Sequence, residues 1–115
     1  MNPKTYNLKQ IHNKRNDRIT FNRLELNSIL KIYGRMVTLG EWRDYGISSL
    51  TDRAIFSIFR RTTENPIYMI VKSPRNLNKQ GIFSVVSIDG QILIRARDIH
   101  SLLKIFNKIM IRSVS

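Results

Sequence analysis

The hydrophobic period of this chain changes twice, and those two changes constrain the fold more than any other feature. Leu26, Ile29, Leu30, Tyr33, Met36 and Val37 recur at helical spacing. From Tyr45 to Ile94 the apolar residues alternate at a period of two. Helical spacing then returns with Ile99, Leu102, Leu103, Phe106, Ile109 and Met110. A helix, a run of strands and a second helix is the pattern of an α+β fold.

Local chemistry sets the boundaries. Asn22-Arg23-Leu24-Glu25 has the spacing of a capping box, and Gly40 supplies a helix stop. Gly34 lies inside the first helix, where glycine costs about 1 kcal/mol relative to alanine, so close packing is expected there. Arg18 to Phe21 reads as a short strand. Further strands are expected near 43–50, 54–61, 67–72, 82–88 and 91–96, rich in Ile, Val, Phe and Tyr. Their separators are Asp52-Arg53, Thr63 to Pro66, Ser73 to Gln80 and Asp89-Gly90. Asp89-Gly90 predicts a type I′ hairpin. Asp98 is placed to cap the last helix. Connections this short make neighbouring strands antiparallel. The expected architecture is therefore an antiparallel five- to six-strand meander with two amphipathic helices packed on one face. The strands also carry apolar residues on their second face: Phe56 and Ile58 point one way, Ile55 and Phe59 the other. That face calls for a partner, most simply a second copy in a homodimer.

A chain of 115 residues is expected to form one domain, here residues 18–112, preceded by a basic, flexible tail over 1–17. There is no cysteine, which excludes disulfides and thiolate metal sites. The longest apolar run, Ile67 to Val71, is far short of a membrane span. The polar, basic N-terminal stretch lacks the apolar core of a secretory signal. These features point to a cytoplasmic protein.

Twenty Lys and Arg face eight Asp and Glu, for a formal net charge of +12. Such an excess draws in polyanions, among them nucleic acids and ribonucleoproteins. In a meander, strand polarity sorts the charges to two ends. One end gathers Glu41, Trp42, Arg43, Asp44 and Tyr45 with Arg60, Arg61 and Glu64. This set is balanced and holds the only tryptophan, so it reads as a salt-bridged structural corner, with a binding site as the alternative. The other end gathers Arg53, Lys72, Arg75, Lys79, Arg95 and Arg97. Only Asp52 and Asp98 oppose them, so they read as a polyanion-binding rim or, more plainly, as solvated loops.

Enzymatic motifs are not recognisable. No G-x-G-x-x-G or P-loop pattern occurs, and His12 and His100 stand apart from any acid at metal-ligand spacing. No cofactor and no metal is expected, and the chain reads as a non-enzymatic module. Trp42 is expected under the helix end, its indole packed rather than offered to bases.

Two runs resemble a known family. They are Leu26-Asn27-x-Ile29-Leu30-x-x-Tyr33-Gly34-Arg35-Met36-Val37-x-x-Gly40-Glu41-Trp42-Arg43-Asp44-Tyr45 and Asp52-Arg53-Ala54-x-Phe56-Ser57-x-Phe59-Arg60-Arg61-x-x-Glu64-x-Pro66-x-Tyr68. Together with the strand from Gly81 to Val86, they are similar to a domain of unknown function found in alphaproteobacteria. The likeness runs from about residue 18 to residue 106. It implies a small bacterial cytoplasmic protein, and it implies no activity, catalytic residue or ligand.

Overall fold

The computed structural model describes residues 17–61, 65–75 and 81–114. The tail over 1–16, Glu64 and Lys79 lie outside the described residues. The elements run α1 (Arg23–Thr38), β1 (Asp44–Ser49), β2 (Ala54–Phe59), β3 (Tyr68–Lys72), β4 (Phe83–Ser87), β5 (Ile92–Ala96) and α2 (Ile99–Val114). The strands form one antiparallel sheet in the order β1-β2-β3-β4-β5. This is an α+β fold with five strands. Arg18 to Phe21 does not form a sixth among the described residues. That segment instead anchors to the end of β1: the Ile19 N–H donates to the Leu50 carbonyl (2.7 Å) and the Arg18 guanidinium to the Ser49 carbonyl (3.0 Å).

The register places Ser49, Ala54, Lys72, Phe83 and Ala96 side by side in one row. Directly opposed residues of an antiparallel pair share a face. One face therefore carries Ala54, Phe56, Ile58, Ile70, Phe83, Val85 and Ile94, all buried. Tyr33 of α1 meets Phe56, and Phe106 of α2 meets Tyr68, on that same face. Phe56 and Phe106 are fully buried, each stabilising the fold by about 1.5–3 kcal/mol relative to exposure. The opposite face carries Ile55, Phe59, Met69, Val71, Val86 and Ile92, interleaved with Gly46, Ser48, Ser57 and Ser84.

Both helices run the same way along the sheet. α1 begins beside Lys72, whose Nζ donates to the Thr20 carbonyl (3.0 Å), and ends at Trp42. α2 begins just after Ala96, in the Lys72 row, and its Phe106 stacks on Trp42 (5.7 Å between centroids, 23°). The two ends of the molecule are named here for Lys72 and Trp42.

Glycines mark three turns. Gly40 (φ 79°) closes α1 in a Schellman motif, with the Glu41 N–H bonded to the Met36 carbonyl and the Gly40 N–H to the Val37 carbonyl (both 2.9 Å). Gly81 (φ 96°) lies against β5, where an added Cβ would stand 2.2 Å from the Ala96 carbonyl oxygen. The third corrects a sequence expectation. Gly90 has φ 85°, but Asp89 does not have positive φ, so the turn is not type I′. The Ser87 N–H bonds to the Gln91 carbonyl across a three-residue loop, Ile88 to Gly90. That is the alternative hairpin, in which glycine alone takes the left-handed position. The pairing then shifts by one residue between Val85 and Val86, leaving Leu93 as the extra residue of a bulge. Gly34 also departs from expectation: it is exposed, and a Cβ there would meet nothing within 4 Å. Close packing does not explain this glycine.

Candidate functional site

The row from Ser49 to Ala96 decides which cations share an end. Arg53 lies in the turn before Ala54, Arg75 three residues beyond Lys72, and Arg97 directly after Ala96. All three are exposed, and none of their guanidinium groups bonds to a described residue. Arg95, one step up β5, is exposed on the face away from the helices.

Lys72 does not belong with them. Its side chain is only 16% exposed, and Nζ donates to Glu25 Oε1 at 2.8 Å. The same Oε1 accepts the Asn22 N–H (2.8 Å), while Asn22 Oδ1 accepts the Glu25 N–H (2.8 Å). The capping box of α1 thus doubles as the docking point for β3. Lys72 points to the helix-bearing face, so the expectation of an unneutralised Lys72 is corrected: burial requires a partner for such a charge, and Glu25 provides it. Of the two acids expected to oppose the rim, Asp98 is occupied. Its carboxylate accepts the Ser101 N–H (2.8 Å) and hydroxyl (3.0 Å) as the cap of α2. These bonds from Ser101 hold the carboxyl below its ordinary range.

The Trp42 end has the expected packed indole but, among the described residues, not the expected ion pairs. Trp42 is 4% exposed and packs among Tyr33, Tyr68 and Phe106. Tyr45 stacks on Phe56 (5.0 Å, 8°) and meets Tyr33 edge-on (4.9 Å). Burial, with the nearby Asp44 and Tyr45, raises the Tyr33 phenol above its usual value. Among the described residues the expected ion pairs do not form: Arg43, Arg60 and Arg61 are exposed, and Glu41 and Asp44 pair with none of them. Asp44 accepts the N–H of Tyr45 instead (2.8 Å). The three arginines border an open recess of about 550 Å³ with Val37, Gly40 and Trp42. Standing free costs these solvated arginines little, since an exposed pair contributes only about 0–1 kcal/mol.

A further basic feature was missed by sequence reasoning. Lys31 and Arg35 of α1 face His100 and Lys104 of α2 across a recess of about 430 Å³, floored by Ile32 and Leu103. Arg35 donates to Asn107 Oδ1 across it (3.0 Å). α2 contains no acid, and the single acid of α1 is Glu25, already bound. The sequence held a signal in this absence of carboxylates, but only tertiary packing shows that the cations of two distant helices border one groove.

Comparison with known families places the chain. The family described as "Protein of unknown function (DUF2794)" matches residues 19–103. The chain belongs to the DUF2794 family. The DUF2794 match spans the capping box of α1, the whole sheet and the first turns of α2. No curated protein and no solved structure matches the chain. No helix among the described residues is long and apolar enough to cross a membrane.

Proposed function

We propose that this DUF2794 protein is a non-enzymatic cytoplasmic module that binds a polyanion, nucleic acid or ribonucleoprotein, at its Lys72 end. The observation that carries this reading is the sheet register, which gathers Arg53, Arg75 and Arg97 at one end, exposed and without carboxylate partners among the described residues. Arginine suits this role because its planar fork matches phosphate oxygens. A net charge of +12 adds long-range attraction. The test is binding of labelled DNA and RNA by fluorescence anisotropy across a salt series. Affinity is expected to fall steeply as salt rises, since each phosphate contact adds about 0.9 to the log–log slope on a duplex and about 0.7 on a single strand. Replacing Arg53, Arg75 and Arg97 together by Gln lowers that slope by about 2–3. Absence of binding by the unaltered protein at low salt removes the reading.

A second reading rests on the sheet face away from the helices. Ile55, Phe59, Met69, Val71, Val86 and Ile92 share it, and among the described strand residues its only charged positions are Asp44 and Arg95. A face this poor in charge lets two copies of a +12 chain approach, so the proposed occupant is a second copy. Light scattering at high protein concentration tests it: a strict monomer removes this reading.

A further inference from the structure

We infer that the groove between α1 and α2 is a seat for the sugar–phosphate backbone of a single nucleic-acid strand, an inference that rests on the polyanion-binding reading but uses different residues.

The groove is a ladder of donors. Lys31 and Arg35 are one helical turn apart on α1, and His100 and Lys104 one turn apart on α2, so each pair is spaced about 6 Å along its axis. Because the helices run in the same direction, the two pairs face each other and form a strip rather than a point. Ser28 and Asn107 add neutral polar groups to the walls. Arg35 is already oriented by Asn107 Oδ1, which uses one of its five N–H donors and limits the side-chain freedom lost on binding.

Charge separates this groove from the other basic features. The Trp42 recess has Glu41 and Asp44 close in sequence, and the Lys72 end has Asp52. Among the described residues no carboxylate lines the groove. Asp98, the nearest acid to His100 in sequence, caps α2 through Ser101 and its charge acts on His100, while Glu25 is held by Lys72. Lys31, Arg35 and Lys104 make no ion pair among the described residues, which is the condition for counterion release on binding phosphate.

Shape selects the strand. Packed helices stand about 8–10 Å apart, so the recess between them admits one backbone, whereas a duplex could touch only its rims. The floor, Ile32 and Leu103, is aliphatic and fits the apolar edge of a sugar. No aromatic side chain among the described residues lines the groove, so bases are not stacked there and little base preference follows. At its lower end, His100 lies three residues beyond Arg97, so the groove continues from the arginines of the Lys72 end.

The test measures fluorescein-labelled oligo(dT) and a mixed-sequence duplex against the full chain by anisotropy from low to high salt. The unaltered protein is expected to prefer the single strand. Lys31→Gln with Lys104→Gln lowers the single-strand salt slope by about 1.4, two contacts at about 0.7 each. Lys31→Arg with Lys104→Arg keeps it. The single Lys→Gln variants, each expected to lower the slope by about 0.7, serve if the pair reduces the melting temperature. An unchanged slope in the groove variants, alongside a loss in the Arg53, Arg75 and Arg97 triple variant, overturns the groove and leaves the Lys72-end reading standing. A loss in the groove variants alone does the reverse. Equal or tighter binding of the duplex, or displacement of oligo(dT) by a mononucleotide at equal phosphate concentration, overturns the strand assignment. No binding of either nucleic acid overturns both proposals.

Discussion

The Lys72 ammonium sits 2.8 Å from Glu25 Oε1, joining the end of the third strand to the first turn of α1. One carboxylate oxygen thus caps a helix and docks a strand. Lys72→Met removes the cation and leaves Glu25 poorly exposed and unpaired, at a cost of about 2–3 kcal/mol. Glu25→Gln keeps an acceptor for the Asn22 N–H and costs less than Glu25→Ala, which loses both bonds. Urea unfolding of the three variants checks the order. A neutral effect of Lys72→Met would show that solvent, rather than Glu25, holds this charge.

The glycines predict opposite outcomes for one kind of substitution. Gly34→Ala introduces a Cβ into open space in a helix, so stability rises by about 1 kcal/mol. Gly81→Ala drives a Cβ into the backbone of Ala96 and Arg97 at positive φ, so it unfolds or severely destabilises the protein. Thermal melts separate the two. A Gly34→Ala loss would mean that the exposed helix surface is itself occupied in the folded protein.

Trp42 and Arg60 are near neighbours with unequal structural roles. Trp42→Ala opens a cavity beside Tyr33, Tyr68 and Phe106 and costs about 3–5 kcal/mol. Arg60→Ala removes an exposed side chain without a carboxylate partner among the described residues, so its effect stays within about 0.5 kcal/mol. Calorimetry on both variants checks this. A large Arg60→Ala loss would restore the structural role that the balanced charge of the sequence implied.

Acid and alkali act on different residues. Hydrogen bonds from Ser101 lower the Asp98 pKa, and the Ser87 hydroxyl is the main cause lowering that of Asp89. Each carboxylate therefore stabilises the fold above its unfolded pKa of about 3.9, and this is lost as pH falls through the lower folded value. Asp98→Asn and Asp89→Asn should flatten the acid limb of a melting-temperature profile. Tyr33 behaves oppositely. Burial raises its phenol, so the unfolded chain ionises first, and stability falls as pH rises above the usual value of 10.0. Tyr33→Phe should reduce that alkaline loss. Profiles unchanged in these variants would remove the assignments.

Periodicity made the elements legible, because a buried face imprints its repeat on each segment. The helix from Arg23 and the five strands lie within two residues of the expected bounds. The capping box was legible for the same local reason, since its bonds join residues three apart. What sequence could not show depends on contacts between distant segments. Lys72 meets Glu25 across 47 positions, and Arg35 meets Asn107 across 72. The Asp89-Gly90 pair marked the turn correctly, but the type I′ expectation failed, because a three-residue loop uses the same glycine. The strand expected at Arg18 to Phe21 became an anchor, with one backbone bond to Leu50 and one side-chain bond to Ser49.

The shared direction of α1 and α2 gives the molecule an electrical front and back. Two peptide macrodipoles add rather than cancel, each equivalent to roughly half a positive charge at its leading end. Those leading ends lie with Arg53, Arg75 and Arg97, and Glu25 and Asp98 stand in the first turn of α1 and at the cap of α2, where they offset part of that positive charge. At the trailing end of α1 the carbonyl charge falls beside Arg35, whose charge offsets it.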